Sequence, residues 1–263
     1  MRPDTNALIG LAIEAGAEIL KVYGGDFTVA IKDDSSPVTE ADVRAEAIIL
    51  AGLSTIAPDV PVVAEESVSA GRVPEHADAF FLVDPLDGSK EFISRNGEFT
   101  VNIALIENGV PVFGVVYAPA LGHIWWGGEG EGAFHATVVD GVATGAAKIA
   151  CQPCGTSGFR VVGSRSHGTP ELDTYLKTVE VADFVSVGSS LKFCLLAEGR
   201  ADLYPRFGRT MEWDTAAGDA VLRAAGGRVR TLGDEPLVYG KRDQADDTDF
   251  ANPFFIADSR SGN

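Results

Sequence analysis

The apolar positions along the chain fall first into helical and later into strand-like patterns. Leu8, Leu11, Ala12, Ala15 and Ile19 recur at helical spacing, interrupted by Glu14 and Glu18, which predicts an amphipathic helix over residues 5–23. A second helix is predicted after Pro37, with Thr39 and Asp42 spaced as a capping box. "VPVVA" (60–64) reads as a short buried strand that ends at Glu65-Glu66-Ser67. "AFFLV" (79–83) reads as another, closing on Asp84-Pro85-Leu86-Asp87-Gly88-Ser89-Lys90. From Phe99 the runs lengthen: "FTVNIALI", a turn at Glu107-Asn108-Gly109, "VPVFGVVYA", a turn from Pro119 to Gly122, then "HIWWG" and "AFHATVV". Strands linked by such turns predict an antiparallel sheet.

Residues 141–158 are small and glycine-rich, and read as a boundary between a metal-binding α+β part, 1–150, and an α/β part, 151–263. Beyond the boundary, "FRVVGS", "PELDTYLKTV", "DFVSVG", "SSLKFCLLAEG", "ADLYPR" and "WDTAAGDAVLRAAGG" alternate strand with helix. "GGEGEGAF" (127–134) lies between strands, so it reads as a hairpin turn rather than a phosphate loop.

Composition narrows the function. The chain has 263 residues, 45% of them hydrophobic, with a net charge of −17, which suits a folded protein and argues against binding nucleic acid or an anionic membrane. No apolar run approaches the ~18 residues of a membrane span, and the N-terminal helix lacks the form of a signal peptide, so a cytoplasmic location is expected. Cys151 and Cys154 form a lone C-x-x-C with Cys194 far off, and without matching ligands they read as incidental thiols.

Acidic residues gather where elements begin or end: Asp42 at a helix start, Glu65-Glu66 and Asp84/Asp87 at strand ends, Asp214 at the start of a late helix. Each has a local explanation as a cap, a β-turn or a solvated loop. Together they suggest more, because carboxylates at neighbouring strand ends converge in α/β architectures. Mg²⁺ takes a few carboxylate and carbonyl oxygens together with water and substrate phosphate. Gly88-Ser89-Lys90 would add backbone amides suited to a phosphate.

These residues resemble the inositol monophosphatase superfamily. Its signature appears here as Glu65-Glu66, then Asp84-Pro85-Leu86-Asp87-Gly88-Ser89, then Trp213-Asp214-Thr215-Ala216-Ala217-Gly218, in order and over nearly the whole chain. "DPLDGSKEF", "SRSH" (164–167), "GSSLKFCLLAEG" (188–199) and "LYPRFG" (203–208) look like its CysQ branch, the bacterial 3'(2'),5'-bisphosphate nucleotidases. The resemblance implies a layered α-β-α-β-α sandwich holding two to three Mg²⁺. It implies a hydrolase that takes 3'-phosphoadenosine 5'-phosphate to AMP and phosphate, clearing a by-product of sulfate assimilation. Glu65, Asp84, the Leu86 carbonyl, Asp87 and Asp214 would then be metal ligands, and Asp42 with the Ser89 hydroxyl would activate water. Gly88 and Ser89 would meet the phosphate through their amides, while His167, Ser189, Lys192 and Arg206 would meet the nucleotide. A solvated helix position for Lys192 and a surface ion pair for Arg206 are the competing readings. An inositol or sugar monophosphatase, and a non-catalytic ligand sensor or partner-binding protein, are the alternatives for the whole. The oligomeric state, monomer or homodimer, stays open.

Overall fold

The computed structural model describes residues 3–31, 37–154, 157–164 and 169–259. Its two long N-terminal helices are Thr5–Tyr23, where the apolar spacing places it, and Glu40–Ile56, which follows the expected cap at Thr39. Thr39 caps the second through the capping box, with its hydroxyl accepting from Ala41 N–H and its own N–H donating to Asp42.

Seven strands make the larger sheet, in the spatial order Val62–Ala64, Ala79–Asp87, Thr100–Glu107, Val110–Ala118, His123–Gly128, Gly132–Val139, Val142–Ile149. Every pairing is antiparallel except the first, where Val62–Ala64 runs parallel to Ala79–Asp87. The last strand lies in the stretch expected to be linker. Its small side chains leave most of it exposed at the sheet edge, so the strand lacks the apolar alternation that would reveal it.

The second sheet orders its five strands as Val181–Ser186, Phe159–Gly163, Leu203–Arg206, Phe255–Asp258, Arg228–Thr231. The first three are parallel, as strand–helix alternation predicts. The last two pair antiparallel, so the sheet is mixed.

Burial on both faces of each sheet explains the layering. On the Ala79–Asp87 strand, Phe81 and Val83 join the core beneath the N-terminal helices, while Phe80 and Leu82 face the opposite core. That second core is filled by helices Leu191–Ala197 and Ala216–Ala224, whose other side receives Val162, Tyr204, Val229 and Phe255 of the five-stranded sheet. Helix Pro170–Leu176 covers the far face over Val161, Leu203 and Ile256. The outcome is the expected α-β-α-β-α sandwich. Among the described residues, no helix is long and apolar enough to cross a membrane.

The central helical layer rests closely on the large sheet at Gly114, where an added Cβ would stand 2.9 Å from both the Ala217 Cα and the Ala220 Cβ. Backbone cannot yield as a flexible side chain can, so Gly114→Ala is expected to cost about 1–3 kcal/mol or more. Calorimetry should show a melting temperature lowered by several degrees. An unchanged value would mean that helix Ala216–Ala224 does not depend on this spacing.

Candidate metal centre and active site

Successive side chains on a strand alternate faces, so Asp84 and Asp87, three residues apart, would point opposite ways on a regular strand. The register removes this conflict. Asp84 pairs with Asn102 and Asp87 with Thr100, so this strand spends three steps where its neighbour spends two. The extra residue is a β-bulge, and it returns both carboxylates to one side. Pro85 is tolerated because a bulge does not need its missing N–H. The Asp84 carboxylate accepts from Leu86 N–H at 2.9 Å, closing the bulge locally. The expected β-turn is therefore a bulge within a continuing strand, and the chain breaks only at Gly88. There φ is +97°, and a Cβ would lie 3.1 Å from the Glu98 carbonyl oxygen. Helix Ser89–Ile93 starts immediately after.

Asp214 arrives from the other half of the chain, on the 3₁₀ turn Glu212–Asp214 that leads into helix Ala216–Ala224, with its carboxylate accepting from Met211 N–H at 2.8 Å. Carboxylate oxygens of Asp84, Asp87 and Asp214 all lie within 4.8 Å of one another. Glu65 opens helix Glu65–Ser69 at the end of the strand paired in parallel with Ala79–Asp87, and the register Ala64 to Val83 sets it beside Asp84. Glu65 is not one of that group of three, but its charge is felt there. Burial first, then Glu65, Asp87 and Asp214, raise the Asp84 carboxyl well above its ordinary range. Burial, Asp87 and Glu65 push Asp214 up to about 8. Oxygen-only donors with unbalanced negative charge fit a hard divalent cation such as Mg²⁺. Leu86 is buried next to both aspartates.

One oxygen of the buried Asp42 accepts from both the N–H and the hydroxyl of Thr39, at 2.8 Å each. The other oxygen faces the Ser89 hydroxyl at 3.5 Å, the long limit of such a contact. Asp42 and Ser89 are thus brought side by side.

The residues expected to meet the nucleotide are placed differently from their competing surface readings. Ser189, held at φ +55°, donates to Asp87 Oδ2 at 2.7 Å. Lys192 is no solvated helix residue: it is 5% exposed, its ammonium bonds the Val187 and Ser189 carbonyls, and it sits over the Tyr204 ring. Burial lowers its pKa to about 8 against the pull of Asp87. Arg206 is buried too, donating to the carbonyls of Gly208 at 3.1 Å and Arg209 at 2.8 Å rather than forming a surface ion pair. His167 lies outside the described residues. Cys151, Cys154 and Cys194 take part in no disulfide among the described residues, and burial pushes Cys151 up to about 12, away from reactivity.

Two positions were not singled out from sequence. The Ser190 hydroxyl lies 2.7 Å from the Asp214 carbonyl and 3.1 Å from Asp87 Oδ2, and accepts from Asn102 Nδ2 at 2.9 Å. Asn102 is a polar residue buried inside an apolar strand, and that is the signal that could have marked it.

Comparison with known proteins agrees with this fold. Residues 1–259 match the model of the inositol monophosphatase family. The chain is 48% identical over 247 residues to the 3'(2'),5'-bisphosphate nucleotidase CysQ of Salmonella typhimurium, covering 93% of this chain and 95% of the relative. It is 30% identical to the CysQ of Haemophilus influenzae, covering 95% and 91% respectively. Among solved structures, CysQ from Bacteroides thetaiotaomicron superposes with a TM-score of 0.81 at 40% identity, covering 98% of each chain. The suhB protein of Bartonella henselae gives a TM-score of 0.75 at 26% identity, covering 97% of this chain and 93% of that one.

Asp84 and Asp214 keep protons in the folded, metal-free chain at pH values where unfolded carboxyls, near 3.8, have lost them. The contribution of Asp214 to stability is therefore full below the unfolded value and is lost as pH rises through about 8, and that of Asp84 changes in the same direction. A cation bound there would have to displace those protons. Mg²⁺ titrated into metal-free protein at neutral pH should release protons, seen as calorimetric heats that vary with the ionisation enthalpy of the buffer. The release should shrink as pH passes about 8. Buffer-independent heats would contradict this electrostatic picture.

Proposed function

The chain belongs to the inositol monophosphatase family, and from that premise we propose that it removes the 3'-phosphate of 3'-phosphoadenosine 5'-phosphate, releasing AMP and phosphate in the course of sulfur assimilation. The observation that carries the hydrolytic chemistry is the convergence of Asp84, Asp87 and Asp214 from two distant parts of the chain. The choice of a bisphosphate nucleotide rests on the likeness to the CysQ nucleotidases.

Asp84, Asp87, Asp214, Glu65 and the Leu86 carbonyl would hold two to three Mg²⁺. Bound there, Mg²⁺ would offset the clustered charge and supply Lewis acidity for an in-line displacement by water. Asp42 has one oxygen committed to Thr39 and the other turned to Ser89. With its proton directed to Asp42, the Ser89 oxygen presents its lone pairs to an attacking water and orients it. Water then attacks phosphorus directly, passing a proton through the Ser89 hydroxyl to Asp42, while the bond to the 3'-oxygen breaks and that oxygen takes a proton from solvent; no phospho-aspartate forms. The Asp-x-x-Asp spacing differs from the Asp-x-Asp of phosphatases with a nucleophilic aspartate.

Gly88 and Ser89 would supply backbone N–H groups to the phosphate. Lys192, Arg206, Ser189 and His167 would recognise the rest of the nucleotide. Support for Lys192 and Arg206 comes from their position: their charges act on Asp87 and Asp214, and each keeps N–H donors beyond those given to the carbonyls named above.

Steady-state rates at matched Mg²⁺ should give a higher kcat/KM on 3'-phosphoadenosine 5'-phosphate than on inositol 1-phosphate. The reverse order would assign the chain to the sugar phosphatases. Asp87→Asn should cut kcat by more than about 100-fold, the upper end for losing a mere outer partner of a metal ligand. Unchanged phosphatase activity in that variant would favour a non-catalytic sensor.

A further inference from the structure

A fully buried carboxylate outside the acid cluster calls for its own account. Glu46 sits one helical turn after Asp42, on the same face of helix Glu40–Ile56, and is 3% exposed. Burying a carboxylate is costly unless its oxygens are satisfied. Here they are: Glu46 Oε2 accepts from Glu66 N–H at 2.8 Å, and Oε1 from the Ser67 hydroxyl at 2.7 Å. Arg72 also reaches the Ser67 hydroxyl, at 3.3 Å.

The acceptors land on a helix that needs them. Glu65–Ser69 is a single short turn, too short to be stable alone. Its N-cap is Ala64, whose side chain offers no capping bond. The missing cap is supplied from 20 residues upstream by Glu46, at the residue directly after Glu65. An anionic acceptor at a helix start is also favoured by the exposed amides there.

Resting on the reading of Glu65 as a metal ligand, we propose that Glu46 is the positioning residue for that ligand: it caps the short helix that carries Glu65 and so fixes where the Glu65 carboxylate is presented. One face of helix Glu40–Ile56 then sets two parts of the site. Asp42 reaches the water-orienting hydroxyl of Ser89, and Glu46, four residues on, anchors the helix of the metal ligand.

The test reads magnesium affinity, by calorimetric titration and by the rise in melting temperature with Mg²⁺, for the full-length protein and three variants. Glu46→Ala is expected to weaken Mg²⁺ binding about 10- to 100-fold, the range found when outer partners of metal ligands are removed. Its kcat should recover towards the wild-type value at saturating Mg²⁺, because the ligand is displaced rather than lost. Glu46→Gln, whose amide can accept from Glu66 N–H and donate to the Ser67 oxygen, should stay within about threefold of wild type. Ser67→Ala, which removes one of the two bonds, should weaken binding about fivefold. Wild-type affinity in Glu46→Ala, whatever its stability without metal, overturns the proposal. If that variant does not fold, unchanged affinity in Ser67→Ala overturns it. Glu46→Gln as weak as Glu46→Ala also overturns it, since the hydrogen bonds would then not be what positions Glu65. A wild-type protein that binds no Mg²⁺ would instead overturn the metal reading of the site.

Discussion

Carboxylates that share a small, partly buried space repel one another and lose the hydration that would sustain their charge. Asp84, Asp87 and Asp214 meet within 4.8 Å under these conditions, with Glu65 close enough to add to the strain. Without a counter-charge the site must hold protons, and the shifted carboxyls of Asp84 and Asp214 are how it does so. The rest of the structure can be understood as the framework that keeps this unfavourable arrangement in place until a cation offsets it. A fold built for stability alone would keep these groups apart.

Several local devices maintain the arrangement. The bulge at Pro85-Leu86 brings two aspartates of one strand to the same side. The parallel pairing of the first two strands of the large sheet puts Glu65 next to Asp84. The close approach at Gly114 fixes the helix behind Asp214 against that sheet. Ser189 and Ser190 then tie the two halves of the chain together at Asp87 and at the Asp214 backbone. Lys192 braces the same loop through its carbonyls. The second, five-stranded sheet thus contributes to the site chiefly through the loops and helices between it and the first.

Much of this was legible from the residues. Helical spacing located the first helix, and the Thr39–Asp42 capping box marked the start of the second. The strands from Phe99 onward were marked by their turns. The acidic positions were recognisable only together, because each alone reads as a cap, a turn or a loop. What stayed hidden depends on register or distance. The spacing of Asp84 and Asp87 looks like a turn unless the neighbouring strand's count is known. The strand Val142–Ile149 has small, exposed side chains and so reads as linker. The strands Arg228–Thr231 and Phe255–Asp258 are four residues each and pair only across a long connection. Lys192 and Arg206 carry charge, and charge suggests solvent, so their burial shows only once the carbonyls they bind have been brought to them. Glu46 resembles any other helix glutamate until the short helix it caps is in view.

The most direct examination of this account is a crystal of the protein grown with Mn²⁺ in place of Mg²⁺, with anomalous scattering used to locate the ion. Anomalous density is expected between the carboxylates of Asp84, Asp87 and Asp214, at distances close to the roughly 2.0–2.2 Å of a small divalent cation bound by oxygen. Absence of metal there, at a Mn²⁺ concentration that supports phosphate release in solution, would contradict it.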